Sequence, residues 1–291
     1  MGMLNLVKIM GNMKFFSHNL KLPVDFKHPQ GDPQGKQYGQ AFKPADKVAP
    51  PKLIPPWFMA AELPNKYYQN AADTIGGNMK DFHDTMVDAV KFSHTMWKLQ
   101  AKFKDLKVMS VSAIGAPGCL DGPELESNIK NYPVCAAWSG NMAKHRDAVA
   151  KGVSKCFKNW QGKVMVPGLP WYPAFAAFPG PMAPPMPNIP VPLIACVSAM
   201  MTEITTPFSL KSEMDSALDG GLKDKDKDKH YEALHDAIAT TLSMAFLIWL
   251  SSQMVMLVLG KGPIPTFAPP YVPVGPVVGG DNIGAPGHLM T

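Results

Sequence analysis

The chain has 291 residues, only 18% of them charged, with 30 prolines and 20 methionines. Its net charge of +5 lies wholly in residues 1–60, which hold eight lysines against three aspartates. Arg146 is the single arginine, which argues against sequence-specific nucleic-acid recognition, a task that leans on arginine forks.

Residues 1–70 are rich in proline and glycine and poor in periodic apolar positions, as in "KHPQGDPQGKQYGQ". They read as an extended N-terminal arm. The opening "MGMLNLVKIMGNMKFF" has neither the apolar core nor the cleavage site of a signal peptide, which predicts a chain made in the cytoplasm. A helical region follows over 71–163. Its first helix is expected over 78–107, where His83, Val87, Val90, His94, Trp97 and Ala101 recur at helical spacing. A second stripe beside them (Phe82, Met86, Ala89, Met96, Phe103) widens the apolar face. His83 and His94 lack a third ligand at usable spacing and read as core residues.

The stretch "SAIGAPGCLDGPELESNIKNYP" reads as a turn followed by a short helix over 122–131. Asp121 and Glu124 form its capping box and Pro123 sits in its first turn. "GAPG" has no lysine or serine at phosphate-loop positions and no preceding apolar strand, so a turn is expected there. A further helix over 141–161 starts after Ser139 and stops at Gly162. On it Ala148, Gly152 and Cys156 stack at successive turns as a small-residue groove where another backbone can approach. His145 and Cys156 are too far apart along this helix to act as a dyad. Cys119, Cys135, Cys156 and Cys196 contain no CxxC pair, hence neither a zinc nor a redox motif.

From Val164 to Thr202 there is no charged residue. Proline excludes a continuous helix or a central strand here. Yet Trp171, Tyr172, Phe175 and Phe178 make the segment too apolar to stay in water. The expectation is an extended strap over 164–191 pressed into a groove. A second helical region, 192–260, contains a short helix with Ser209 as cap and a long apolar helix over 230–259. Between them "KDKDKDK" fails the calcium-loop pattern, with Lys229 and His235 where glycine and glutamate are needed. Residues 261–291 form a C-terminal arm with two charges, Lys261 and Asp281.

The uncharged run 237–259, with Leu247 and Trp249 at its middle, is long enough to cross a hydrocarbon core of about 30 Å. Gln253, Ser251 and Ser252 interrupt it, however, and the strap and tail are equally short of charge without being able to span. Burial against protein accounts for all three. The sequence therefore predicts a mainly α fold, an irregular helical body with long Pro-rich arms and an apolar strap. It carries no nucleophile elbow, HExxH, nucleotide loop or carboxylate pair on an apolar helix face, so no enzyme, cofactor or metal is expected. The expected role is structural, in a large assembly such as a phage virion or a phage-tail-like contractile injection system. The partners would be copies of itself and other subunits. A membrane-inserting or pore-forming protein using 237–259 is the alternative.

Overall fold

The computed structural model describes residues 2–20, 66–171, 181–264 and 277–289. Phe175, Phe178 and most of the N-terminal arm lie outside the described residues. The long helices are α1 (Gly2–Ser17), α2 (Lys66–Gln100), α3 (Gly140–Gln161), α4 (Pro207–Ala217) and α5 (His230–Ser252). The strands are β1 (Lys102–Phe103), β2 (Lys107–Met109), β3 (Ser112–Gly115), β4 (Leu120–Asp121) and β5 (Val166–Pro170). They continue with β6 (Met182–Pro187), β7 (Val191–Pro192), β8 (Met254–Val255), β9 (Leu259–Pro263) and β10 (Val278–Ile283), β5 and β6 both lying within the strap.

The mainly α expectation is overturned. Among the described residues helix makes up 55% and strand 19%, with six strands in one antiparallel sheet, so the architecture is mixed. The sheet order is β5-β3-β2-β10-β9-β6. Past Pro187 the chain continues along the free edge of β5. Trp171 bridges Asn188, Val164 bridges Ser198, and the Ile189 and Met165 amides donate to the Pro170 and Val197 carbonyls at 2.9 and 2.8 Å. These contacts join the sheet's two edges, and it closes into a small barrel.

The strap supplies both of those edges, which is how proline enters a sheet without leaving carbonyls unpaired. On each strap strand one extra residue is accommodated where prolines cluster. The register slips at Pro167-Gly168 opposite β3 and at Pro184-Pro185 opposite β9. A bulge needs no amide from the bulged residue, so proline fits there. Trp171 is fully buried, and its indole N–H donates to the Met186 carbonyl at 3.0 Å. The ring lies against Gly260, where any Cβ would overlap it. Beside it Gly262 and Gly280, on adjacent strands, meet backbone to backbone.

Three helix expectations also change. The helix expected over 78–107 runs from Lys66 to Gln100. After it Phe103, Leu106 and Val108 are buried, and a hairpin of β2 and β3 turns at Ser110 in the left-handed region (φ 59°). A strand therefore does precede "GAPG". The apolar helix ends at Ser252 rather than 259, and Met254 to Pro263 pairs with the strap. The short helix near Asp121 begins at Glu126, whose amide is bonded to Ser154 Oγ of α3 at 3.2 Å. Asp121 instead ends β4 and faces Lys104 at 3.5 Å, so the capping box does not form. Residues 2–17, expected as part of the extended arm, are helical. Helix α1 lies antiparallel on α5, its Lys14 and His18 reaching Asp236 at 3.2 and 2.9 Å.

Candidate functional site

Helix α5 is the axis of the helical layer, and three polar clusters lie along it. In the first, His83 of α2 sits between Asp84 Oδ1 (2.8 Å from Nδ1) and Thr241 Oγ1 (2.9 Å from Nε2). Hydroxyl, imidazole and carboxylate in that order is the arrangement of an activated nucleophile. Here it has no room for a substrate. His83 and Thr241 are both fully buried, and Gly11 of α1 lies over them so closely that a Cβ there would overlap Thr241 Oγ1 and His83 Nε2. Thr241 also donates to the Ala237 carbonyl at 3.1 Å. The cluster clamps α1, α2 and α5 together. Burial works to raise the Asp84 carboxyl, but hydrogen bonds from His83 and Lys80 outweigh it and hold it at about 2.

The second cluster joins α3, α4 and the start of α5. His235, fully buried, donates its Nδ1–H to Asp215 Oδ1 at 2.7 Å. Lys211 holds the other carboxylate oxygen at 2.7 Å. Burial pushes the Asp215 carboxyl up, and the bonds from His235 and Lys211 bring it net below its ordinary value. The His145 ring lies 6.4 Å from the His235 ring, centroid to centroid. Burial lowers the His145 pKa and His235 adds to this, while Asp226 opposes it. Asp226 caps the helix from the lysine–aspartate loop, accepting from the Tyr231 amide at 2.9 Å.

The third is an aromatic box. His94 is wrapped by Trp97, Phe157, Phe246 and Trp249, the last edge-on at 4.3 Å. Burial, with help from Lys98, drives its pKa down to about 3, a neutral imidazole. Trp249 donates to Gln253 Oε1 at 3.1 Å and Lys98 to the same oxygen at 3.3 Å. Gln253 closes the helix, since its carbonyl accepts from the Leu193 amide at 2.7 Å and so turns the chain into the sheet.

The positions singled out from sequence divide among these regions. Ala148, Gly152 and Cys156 are all buried. A Cβ at Gly152 would come within 2.6 Å of the Met214 amide nitrogen, so α3 and α4 cross backbone to backbone there. Trp249 belongs to the aromatic box and Trp171 fills the barrel, while Leu247 is 40% exposed. The structure does not gather these residues into one site. Sequence reading missed the His145, His235 and Asp215 cluster because its members come from three helices. Their types were visible, but their proximity was not. All four cysteines are buried and free, and burial pushes their thiols up to about 11 for Cys119 and Cys135 and about 12 for Cys156 and Cys196. Such thiols are poor nucleophiles.

A cavity of about 320 Å³ opens between Asp121–Leu125 and α3, with Phe157 on its floor and Glu124 paired to Lys158 on its rim. Its one buried hydroxyl, Ser154, is already bonded to the Glu126 amide. Comparison of the chain with known protein families, with curated proteins and with solved structures finds no match.

Proposed function

We propose that this chain is a structural subunit of a large protein particle, with a phage virion or a phage-tail-like contractile injection system as the concrete form. The observation that carries the reading is the set of large apolar side chains exposed among the described residues. Met13 on α1 is 67% exposed, Met182 on the barrel 55% and Phe208 on α4 80%. Apolar side chains exposed on α1, the barrel and α4 suit a subunit whose surroundings are mostly neighbouring subunits. The polar clusters along α5 act as clamps between helices, which would keep such a subunit rigid within a particle. The Pro-rich strap of such a subunit would be used within its own barrel.

One observation favours the membrane alternative. Helix α5 is long and apolar enough to cross a bilayer by length and composition. Against this, 61% of its apolar window is buried inside the protein. Its uncharged part, 237–252, is about 24 Å long at 1.5 Å per residue, short of a hydrocarbon core of about 30 Å.

The experiment is the native mass of the full chain purified without detergent, for the wild type and Leu247→Lys. Leu247 is partly exposed on α5, so lysine there should change folding stability by no more than about 0.5 kcal/mol while releasing subunits from a high-mass fraction. A wild type that stays monomeric at high concentration overturns the assembly reading. Recovery only in carbonate-resistant membranes makes the membrane-inserting reading the leading one.

A further inference from the structure

Two neighbouring histidines each carry a buried ring nitrogen with no hydrogen-bond partner, Nε2 of His235 and Nδ1 of His145. An orphaned buried nitrogen is costly, and native proteins fill such positions with a group not seen in the chain itself. Three facts narrow what that group is. His235 is fully buried, and its other nitrogen is bonded to the Asp215 carboxylate. That bond fixes the tautomer with a bare lone pair on Nε2, the pattern by which proteins orient a histidine toward a metal ion. The rings are 6.4 Å apart between centroids. The ring planes are inclined at 66°; with the two bare nitrogens turned toward each other, each roughly 1.2 Å from its own centroid, their closest separation is about 4 Å, twice a metal–imidazole bond of about 2 Å.

Among the described residues no group of three or more histidine, cysteine or acidic side chains is placed to hold a metal. That argues against zinc, which takes four ligands in structural sites. Of the cations that imidazole suits, monovalent copper is the one that is stable with two. We propose that His145 and His235 form a two-coordinate Cu(I) site, with Asp215 as the residue that orients His235.

Around it stand Asp226, bonded to His230 at 2.8 Å, and the Asp215–Lys211 pair, with Glu232 3.5 Å from Lys211. Copper there would tie α3 to α5 at the end opposite the aromatic box, adding a cross-link between helices that otherwise meet through apolar contacts. The site is independent of the assembly role.

The test is an anaerobic titration of the full chain, affinity tag removed, with Cu(I) in competition with bicinchoninate. One equivalent should be retained. His235→Gln and His145→Gln should each weaken it tenfold or more, and Asp215→Asn should weaken it less. Copper-edge X-ray absorption of the loaded wild type should show two nitrogen neighbours, a readout that does not depend on the variants folding. Uptake by the wild type no greater than by the double glutamine variant overturns the proposal and assigns the gap to water. A sulfur shell also overturns it, since copper would then sit on cysteine or methionine.

Discussion

The helical layer and the barrel solve the same problem, a core in a chain poor in charge, by opposite means. In the helical layer large side chains interlock. Trp97, Trp160 and Phe157 are all buried against one another and against Trp249. Imidazoles at His83 and His235 act as hydrogen-bonding groups within the packing, and His94 acts as a packed ring. In the barrel the Trp171 indole lies against Gly260, while Gly262 and Gly280 meet backbone to backbone, and prolines occupy the bulges of the edge strands. The difference teaches that a helix tolerates bulk because its side chains radiate. A small barrel, by contrast, has room for one large ring and must thin everything around it.

The largest expected effect lies in the barrel. Trp171→Ala removes the buried ring packed on Gly260 and should cost about 3–5 kcal/mol, the usual range for deleting a buried aromatic side chain. Hydrogen exchange should show the loss concentrated in 182–187 and 259–263 while α2 and α5 keep their protection. Uniform loss across the chain would mean that the two regions fold as one unit and the contrast is only descriptive.

In the helical layer the matching probe is volume added rather than removed. Gly152→Leu pushes a side chain into the backbone of Met214 and should cost about 1–3 kcal/mol or more, because a helix backbone cannot yield as a side chain does. Chemical denaturation measures it. A variant as stable as the wild type would show that α4 can slide.

Acid tests both regions at once. Burial lowers His94 to about 3 in the helical layer and His288 to about 4 beside the barrel. His288 Nδ1 accepts from the Phe103 amide at 2.8 Å, which pins the C-terminal segment. A histidine with a lowered folded pKa is protonated first in the unfolded chain. Stability is therefore full above the ordinary value of 6.5 and falls as pH drops below it, down to about 4 for His288 and about 3 for His94. Asp84, held at about 2, adds a loss of the same sign below its ordinary 3.8. Thermal melts across pH 7 to 3 should show a steady decline, and His94→Phe should flatten it. A flat wild-type profile would mean that water reaches these rings.

The smallest effect is a gain. Gly77 lies in α2 with nothing near its missing side chain, so Gly77→Ala should stabilise by about 0.5–1 kcal/mol. Paired with Gly152, it separates a glycine kept for space from one that is merely tolerated.

Much of the helical layer was legible without coordinates. The 3.6-residue pattern put a helix over 141–161 against the observed Gly140–Gln161, and the stack of Ala148, Gly152 and Cys156 lay on one face by spacing alone. Helix periodicity is local, so a window of a dozen residues carries it. The interruption at Ser251, Ser252 and Gln253 was also visible, although the helix was carried past it, because an unbroken apolar run scores alike as buried helix or buried strand. What only the tertiary structure decided was partnership. Residues 182–192, most of them in the strap, pair with 254–263, and β2 pairs with a strand some 170 residues later. Two-residue and bulged strands leave no periodicity long enough to read, and proline-rich edges look like linkers until a neighbour takes up their carbonyls. The same holds for His145, His235 and Asp215, whose meeting depends on the angle at which three helices cross rather than on any spacing within one.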